Sequence, residues 1–174
     1  MAGGTKEIHF EEHIVKYLTA TLEEGGVNEY HQIDKSEYDK VNCLIPSELI
    51  SFIKSSQPKK YDLVKEQLGT QTDEKIVENV AKSLRNLKTL VTVRKPLKIS
   101  GQRIDLAYFQ PANNKTPEHE QWYNENRLAV VRQLAYSTKN NNEIDLGFFI
   151  NGIPVATAEL KNALTNQNHH NAIK

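Results

Sequence analysis

The sequence predicts an α+β protein in which a helical first half precedes a mixed, mostly antiparallel β-sheet flanked by helices. Up to about residue 88, apolar side chains recur every three or four residues, which is the spacing of amphipathic helices. From about residue 89, apolar and polar side chains alternate, which is the period of β-strands. The dipeptide Asn151-Gly152 lies between two such strand-like runs and predicts a β-hairpin, because both residues tolerate a positive φ.

Composition and length limit the classes of protein that fit. We expect the 174 residues to form one domain, with the helical part over about 5–88 and the sheet part over about 89–174. The mean hydropathy is −0.61, and no apolar run approaches the length of a membrane span. No signal peptide is visible and Cys43 is the single cysteine, so a cytoplasmic location is expected.

Helices are predicted from stripes of apolar residues and from their start signals. The first is expected to end at Gly25-Gly26, and prolines at the first position mark the starts of several others. Thr116 has the character of an N-cap residue and Pro117 that of a first helical residue. The predicted helices cover about 5–22, 46–55, 58–68, 73–87, a short stretch from 117, and a last stretch from about 166. Residues 25–42 show no clear pattern.

Six strands are predicted, at about 90–93, 97–99, 104–109, 128–136, 144–150 and 155–160. The register of the last two decides which side chains meet. A two-residue loop pairs Ile150 with Ile153 and places Asp145 and Glu159 on opposite faces, since a slip of one residue reverses every side chain. A three-residue loop pairs Ile150 with Pro154 and brings Asp145 opposite Glu159. We expect the three-residue loop.

Two opposed carboxylates are a chemically informative pair. Directly opposed side chains have Cβ atoms about 4.5–5.5 Å apart, so the two charges repel unless a cation lies between them. Mg²⁺ prefers such hard oxygen ligands, and the nearby Lys161 ammonium could hold or polarise a water on the metal.

An Asp, a hairpin and then Glu-x-Lys resembles the signature of the PD-(D/E)xK nucleases. The flanking segments are more specific: 126–128, 131–133, 136–137, 145–146, 151–152 and 159–162. Together they resemble the N-terminal nuclease domain of the restriction (R, or HsdR) subunit of type I restriction-modification enzymes, from about Phe10 to the last residue. One departure is that Ile144, rather than a proline, precedes Asp145.

This resemblance implies a restriction-endonuclease-like core and Mg²⁺-dependent hydrolysis of phosphodiester bonds in unmethylated foreign DNA. It implies that Asp145, Glu159 and the Leu160 carbonyl hold the metal and that Lys161 positions or activates the attacking water. It also implies that Glu11 on the first helix completes the site. The intact subunit would continue into an ATP-driven translocase and join methylation and specificity subunits, and ATP would act only through that motor.

Charge is balanced overall but unevenly distributed. Acidic side chains are in excess up to residue 82, basic ones are in excess after it, and residues 83–103 contain no acid. Phosphate contacts from such side chains dominate affinity for nucleic acid. The candidate DNA contacts are Arg94, Lys95, Lys98, Arg132 and Gln133. Alternatively, these basic side chains form an ordinary solvated surface. The overall neutrality of the chain predicts a domain that binds duplex DNA weakly by itself.

Several alternatives remain open from the residues alone. Asp105 lies in nearly the same local sequence as Asp145, but no Glu-x-Lys lies near it, so we interpret it as a strand-edge residue or as a partner of the basic stretch at 83–103. Glu11 could be a solvated residue favoured by the helix dipole. The chain could also be a stand-alone repair or resolvase-type nuclease, or a scaffold without catalysis. The end at Lys174, inside a predicted helix, favours a fragment of a larger subunit.

Overall fold

A computed structural model describes residues 2–111 and 116–160, with side chains from residue 8 onward. The helices are α1 (Ala2–Thr19), α2 (Pro46–Ser56), α3 (Pro58–Leu68), α4 (Thr72–Arg94) and α5 (Pro117–Asn124). The strands are β1 (Tyr30–Ile33), β2 (Leu97–Ile99), β3 (Gln102–Ile104), β4 (Leu128–Ala135), β5 (Glu143–Ile150) and β6 (Ile153–Ala158). The predicted final helix lies outside the described residues.

The main sheet has the strand order β1-β4-β5-β6. β1 pairs with β4 in parallel, whereas β4–β5 and β5–β6 are antiparallel, and β2 and β3 form a separate antiparallel pair. The predicted α+β class with a mixed, mostly antiparallel sheet is therefore confirmed. The strand β1, in the stretch that showed no clear pattern, was not predicted.

Two of the predicted strands are wrong. Leu90–Val93 is helical, because α4 continues to Arg94 beyond a break at Lys88, where φ is 64° and ψ is 166°. In this last part of α4, Thr92 and Val93 are buried while Leu90 and Val91 are exposed. A short run of β-branched residues therefore forms one side of a helix here, which periodicity cannot distinguish from a strand over so few residues.

The predicted strand at 104–109 also ends early, since β3 stops at Ile104. The backbone beyond it is paired with two side-chain amides instead of a neighbouring strand. Gln57 accepts from Asp105 N and donates to Asp105 O, each at 2.9 Å. Asn126 likewise accepts from Tyr108 N at 3.0 Å and donates to Tyr108 O at 2.7 Å. These bonds satisfy the main chain without a sheet.

The hairpin between β5 and β6 has a two-residue turn, so the predicted three-residue loop is wrong. Asn151 and Gly152 both have positive φ, 50° and 76°, and Ile150 pairs with Ile153. A bulge restores the parity further along: Phe149 pairs with Pro154 and Phe148 with Ala156, so Val155 is an extra residue. The expected meeting of the two carboxylate positions therefore arises by a different route.

Three groups of buried side chains hold the layers together. The largest core joins α2, α3 and α4 with β2, β3 and Ile153. One face of the sheet packs against α1 through Val15, Val130 and Leu146. The other face packs around Phe149 and Ile45. None of the helices that the structure describes is both long enough and apolar enough to cross a membrane.

A buried ion pair ties α2 to the sheet. Glu48, 5% exposed, accepts from Arg127 Nε at 2.9 Å and Nη2 at 3.0 Å, and its Oε2 lies 2.8 Å from His31 Nε2. Burial alone would raise the pKa of the Glu48 carboxyl. The hydrogen bond from Arg127 and the charges of His31 and Arg127 outweigh that effect, so the pKa lies below its ordinary value of 4.5.

We expect Glu48→Gln to lower the free energy of unfolding at pH 7 by about 2 kcal/mol, a value reduced from that of a fully buried pair because Arg127 is 40% exposed. Since the folded-state pKa is lowered, this contribution is present above the unfolded pKa and is lost as pH falls through the folded one. Urea unfolding of both proteins from pH 7 to about pH 3 should show the difference shrinking in acid.

Glu78→Gln, which breaks the exposed pair with Lys75, is the control and should change stability by less than about 0.5 kcal/mol. A pH-independent difference for Glu48→Gln would contradict the assignment.

Candidate functional site

The candidate nuclease site lies where β4, β5 and the end of β6 run side by side. The pairs Arg132↔Leu146 and Leu134↔Ile144 frame Gln133 and Asp145, which therefore lie opposite each other. On the other side of β5, the pair Leu146↔Ala158 places Glu159, one residue past β6, opposite Asp145. Gln133, Asp145 and Glu159 thus form one row across the sheet, which we call the carboxylate row.

A backbone hydrogen bond links the two acidic positions of the carboxylate row. Asp145 is half-buried, and its Oδ2 accepts from Leu160 N at 2.6 Å. Glu159 is exposed. Because the donor belongs to the residue after Glu159, the bond holds the Asp145 carboxylate against the chain segment that carries Glu159. The structure therefore brings together Asp145, Glu159 and Leu160.

Glu11 is buried beneath the neighbouring strand, with only 2% of its surface exposed. Its Oε1 accepts from Arg132 Nε, and its Oε2 accepts from Gln133 Nε2 at 2.7 Å. Arg132 Nη2 also lies 3.7 Å from Glu12 Oε1. The charge that burial would penalise is thus compensated by a guanidinium and an amide. Glu11 is connected to the carboxylate row through Gln133.

The backbone at Gln133 explains how two consecutive side chains reach the same carboxylate. Neighbouring residues of a regular strand point to opposite faces. Gln133 instead has a φ of 48°, in the left-handed region, and both Arg132 and Gln133 bind Glu11. A residue other than glycine pays roughly 1–2 kcal/mol for this conformation, and such strain concentrates at functional sites.

The donor set of the carboxylate row is compatible with Mg²⁺. Among the residues that the structure describes, no three His, Cys, Asp or Glu side chains converge as a metal site. Two carboxylates on adjacent strands and a main-chain carbonyl still supply hard oxygen donors, and Mg²⁺ usually keeps several waters beside one or two carboxylates. Lys161, the expected water-positioning residue, lies outside the described residues.

The candidate DNA contacts fall in two places. Lys95 and Lys98 line a cleft of about 370 Å³ next to α4, together with Lys82. Arg94 is directed elsewhere, with its guanidinium carbon 5.9 Å from the centroid of the Phe109 ring. Arg132 and Gln133 are separate from this cleft and lie at the carboxylate row, where Glu11 holds them.

Sequence reasoning missed one cation beside the site. A cleft of about 210 Å³ is lined by Gln32, Ile33, Asp34, Lys35, Arg132 and Gln133. Lys35 Nζ lies 3.0 Å from Glu143 Oε1, two residues before Asp145. Because β1 was not predicted, nothing in the sequence placed the turn that follows it next to β4 and β5.

Asp105, the alternative to Asp145, is engaged by a different element. Its Oδ2 lies 2.9 Å from Lys60 Nζ on α3, a lysine that does not belong to the basic stretch at 83–103 in which a partner was expected. Its backbone is bound by the Gln57 side chain. Asp105 therefore belongs to the region around α3 and is separate from the carboxylate row.

Comparison with known proteins identifies the family. A family model described as the N terminus of the type I restriction enzyme R protein matches residues 17–174, and this range includes Asp145 and Glu159 but not Glu11. No curated protein and no solved structure shows significant similarity to the chain. Since the match covers nearly the whole sequence, the chain belongs to the family of type I restriction enzyme R proteins and represents their N-terminal region.

Proposed function

We propose that this chain is the Mg²⁺-dependent endonuclease domain of a type I R subunit and hydrolyses phosphodiester bonds of unmethylated foreign DNA. The observation that carries the proposal is the carboxylate row, in which Asp145 lies opposite Glu159 and is bonded to Leu160 N at 2.6 Å. Membership of a restriction enzyme family supports the same chemistry independently.

The mechanism assigns one task to each residue. Asp145, Glu159 and the Leu160 carbonyl would hold Mg²⁺, and Lys161 would orient the attacking water. When bound, the metal stabilises charge on the scissile phosphate and lowers the pKa of its water. Arg132 keeps 28% of its side chain exposed while Glu11 holds it, so it can meet a phosphate in a fixed orientation. Glu11 acts through Arg132 and Gln133.

Family membership supports a proposal about the assembly around this domain. We propose that the domain acts in the cytoplasm within a complex that contains methylation and specificity subunits. ATP would serve only the motor regions of the R subunit. The phosphates of double-stranded DNA would contact Lys95 and Lys98 in their cleft, and the base sequence would not be recognised there.

Metal binding by the isolated chain tests the site directly. We expect saturating Mg²⁺ to raise the Tm of the wild type, corresponding to about 2.7 kcal/mol at a hundredfold excess over Kd. Asp145→Asn and Glu159→Gln should lose this shift. Without metal, both variants should be as stable as the wild type or slightly more so, because removing one of two adjacent carboxylates relieves repulsion. Thermal unfolding with and without Mg²⁺ measures both quantities.

The control for this experiment is Asp105→Asn, which changes an aspartate in nearly the same local sequence. It should keep the full Mg²⁺ shift. A Mg²⁺ shift retained by Asp145→Asn, or a clear loss of metal-free stability in both row variants, would mean that these carboxylates are structural. That result would favour a docking scaffold over a nuclease.

A further inference from the structure

A second cleft, of about 560 Å³, lies near the hairpin turn. It is lined by Gln57, Lys59, Lys60, Asp105, Tyr108 and Trp122, with Ser56 and Pro58. Asn151 in the turn donates to Asn126, and Asn126 donates to Tyr108 O, so the cleft adjoins the turn. Asn151 lies six positions after Asp145 along β5 and its turn, which is roughly 20 Å of strand. The cleft is therefore distinct from the carboxylate row.

One wall of the cleft is aromatic. The rings of Tyr108 and Trp122 are stacked, with centroids 6.0 Å apart and an interplanar angle of 29°. Tyr108 is anchored in turn by an edge contact to Phe52, which is fully buried. Trp122 nevertheless remains 47% exposed. The His119 ring also lies against Trp122, with centroids 5.1 Å apart and an interplanar angle of 34°. Tyr108 and Trp122 both line the cleft, and a pair of large rings held by their neighbours and still partly exposed can form an aromatic contact surface for a planar ligand.

The other wall is polar and held in place. Lys60 Nζ donates to Asp105 Oδ2 at 2.9 Å and to Gln57 Oε1 at 3.0 Å. Gln57 is itself buried, 6% exposed, and bonded to the Asp105 backbone through both amide atoms. The Lys60 ammonium is therefore oriented before any ligand arrives, and the exposed Lys59 adds a second cation.

We propose that this cleft binds a nucleotide, with its base packed against Tyr108 and Trp122 and its phosphate at Lys59 and Lys60. A planar aromatic group and an anion are the two parts that the two walls can accommodate together. Asp105 adds an acceptor for an amino or hydroxyl group of the ligand. The ligand could be a free mononucleotide or one nucleotide of a single DNA strand. This proposal does not rest on the nuclease proposal.

Trp122 is the only tryptophan of the chain, so its fluorescence reports on the cleft. We expect dAMP to change the emission and deoxyadenosine to bind about tenfold more weakly, because it lacks the charge-assisted bonds of the phosphate. Inorganic phosphate alone should leave the emission unchanged. If a six-residue oligo(dA) binds at least tenfold more tightly than dAMP, the natural ligand is a DNA strand. Equal affinity identifies the free nucleotide as the ligand. Either result supports the cleft as a nucleotide site.

Fluorescence anisotropy of a fluorescein-labelled nucleotide measures the affinity of the cleft in each variant. Trp122→Ala should weaken binding by about tenfold or more and Lys59→Gln by about fivefold, whereas Asp145→Asn should have no effect. Lys65→Gln, an exposed lysine on the same helix but outside the cleft, is the matched control and should bind normally. Equal losses in Lys65→Gln and Lys59→Gln, or no binding of dAMP and oligo(dA) at millimolar concentration, would overturn the proposal.

Discussion

Asp145→Asn is expected to reduce Mg²⁺-dependent DNA cleavage by about 1000-fold. The substitution removes one of the two carboxylates in the carboxylate row while preserving its shape and its bond from Leu160 N. A metal contributes several kcal/mol to stabilisation of the transition state, and about 4 kcal/mol corresponds to a factor of 1000 in rate. Nicking and linearisation of a supercoiled plasmid by the intact R subunit, with its partner subunits and ATP, measures the loss.

Asp105→Asn is the matched control for this experiment. The two aspartates share the local sequence Ile-Asp-Leu, but Asp105 is paired with Lys60 on α3. Its substitution should leave the cleavage rate within about twofold, as expected for a change that touches no reacting group. Cleavage lost in Asp105→Asn and retained in Asp145→Asn would reverse the assignment. Full cleavage by both variants would place the catalytic centre elsewhere in the complex.

Gly152→Ala is expected to lower the free energy of unfolding by at least about 3 kcal/mol. Gly152 has a φ of 76°, and an added Cβ would lie 2.3 Å from Ile45 O and 2.9 Å from Leu49 N. Both obstructing atoms belong to the backbone at the start of α2, so no side chain can rotate away. Relief of the clash would disturb the bond from Ile45 N to Gly152 O, 2.8 Å long. Urea unfolding measures the loss.

Gly101→Ala is the control variant, because it measures the cost of the backbone strain in the absence of a clash. Gly101 has nearly the same φ, 73°, but no atom lies within 4 Å of its added Cβ. It should therefore cost only the penalty of a left-handed alanine, about 1 kcal/mol. If the two variants lose the same stability, the turn is not packed against α2 in solution as the structure shows.

Elements with a strong local pattern were predictable from the sequence. The strands β4 and β5 and the helices α2 and α3 lie close to their predicted bounds, because each carries its own periodicity or start signal. β1 could not be found this way. It has only four residues, and it is a strand because it pairs with β4 almost 100 residues later, which no local pattern records.

The residues of the candidate site also differ in whether a local sequence pattern could reveal them. Asp145 and Glu159 were identifiable because the hairpin that joins them is short and its turn is marked by Asn-Gly. The contacts of Glu11 with Arg132 and Gln133 span more than 120 residues, and they depend on an unusual φ that glutamine does not signal. The pairing of Asp105 with Lys60 was likewise recoverable only from the folded chain.

The extra residue at Val155 has a genetic consequence. Deletion of its codon would preserve the turn, both acidic residues and the apolar composition of the hairpin. Regular pairing from Ile153 onward would then keep Phe148 opposite Ala156 and Asp145 opposite Glu159, so the site would survive this deletion. A codon added between the bulge and Glu159 would instead move Glu159 out of its pairing with Asp145, since a slip of one residue reverses every side chain. A survey of genes for intact motifs would not separate these two alleles. Inheritance of the site therefore depends on the number of codons between the bulge and Glu159, as well as on which residues they encode.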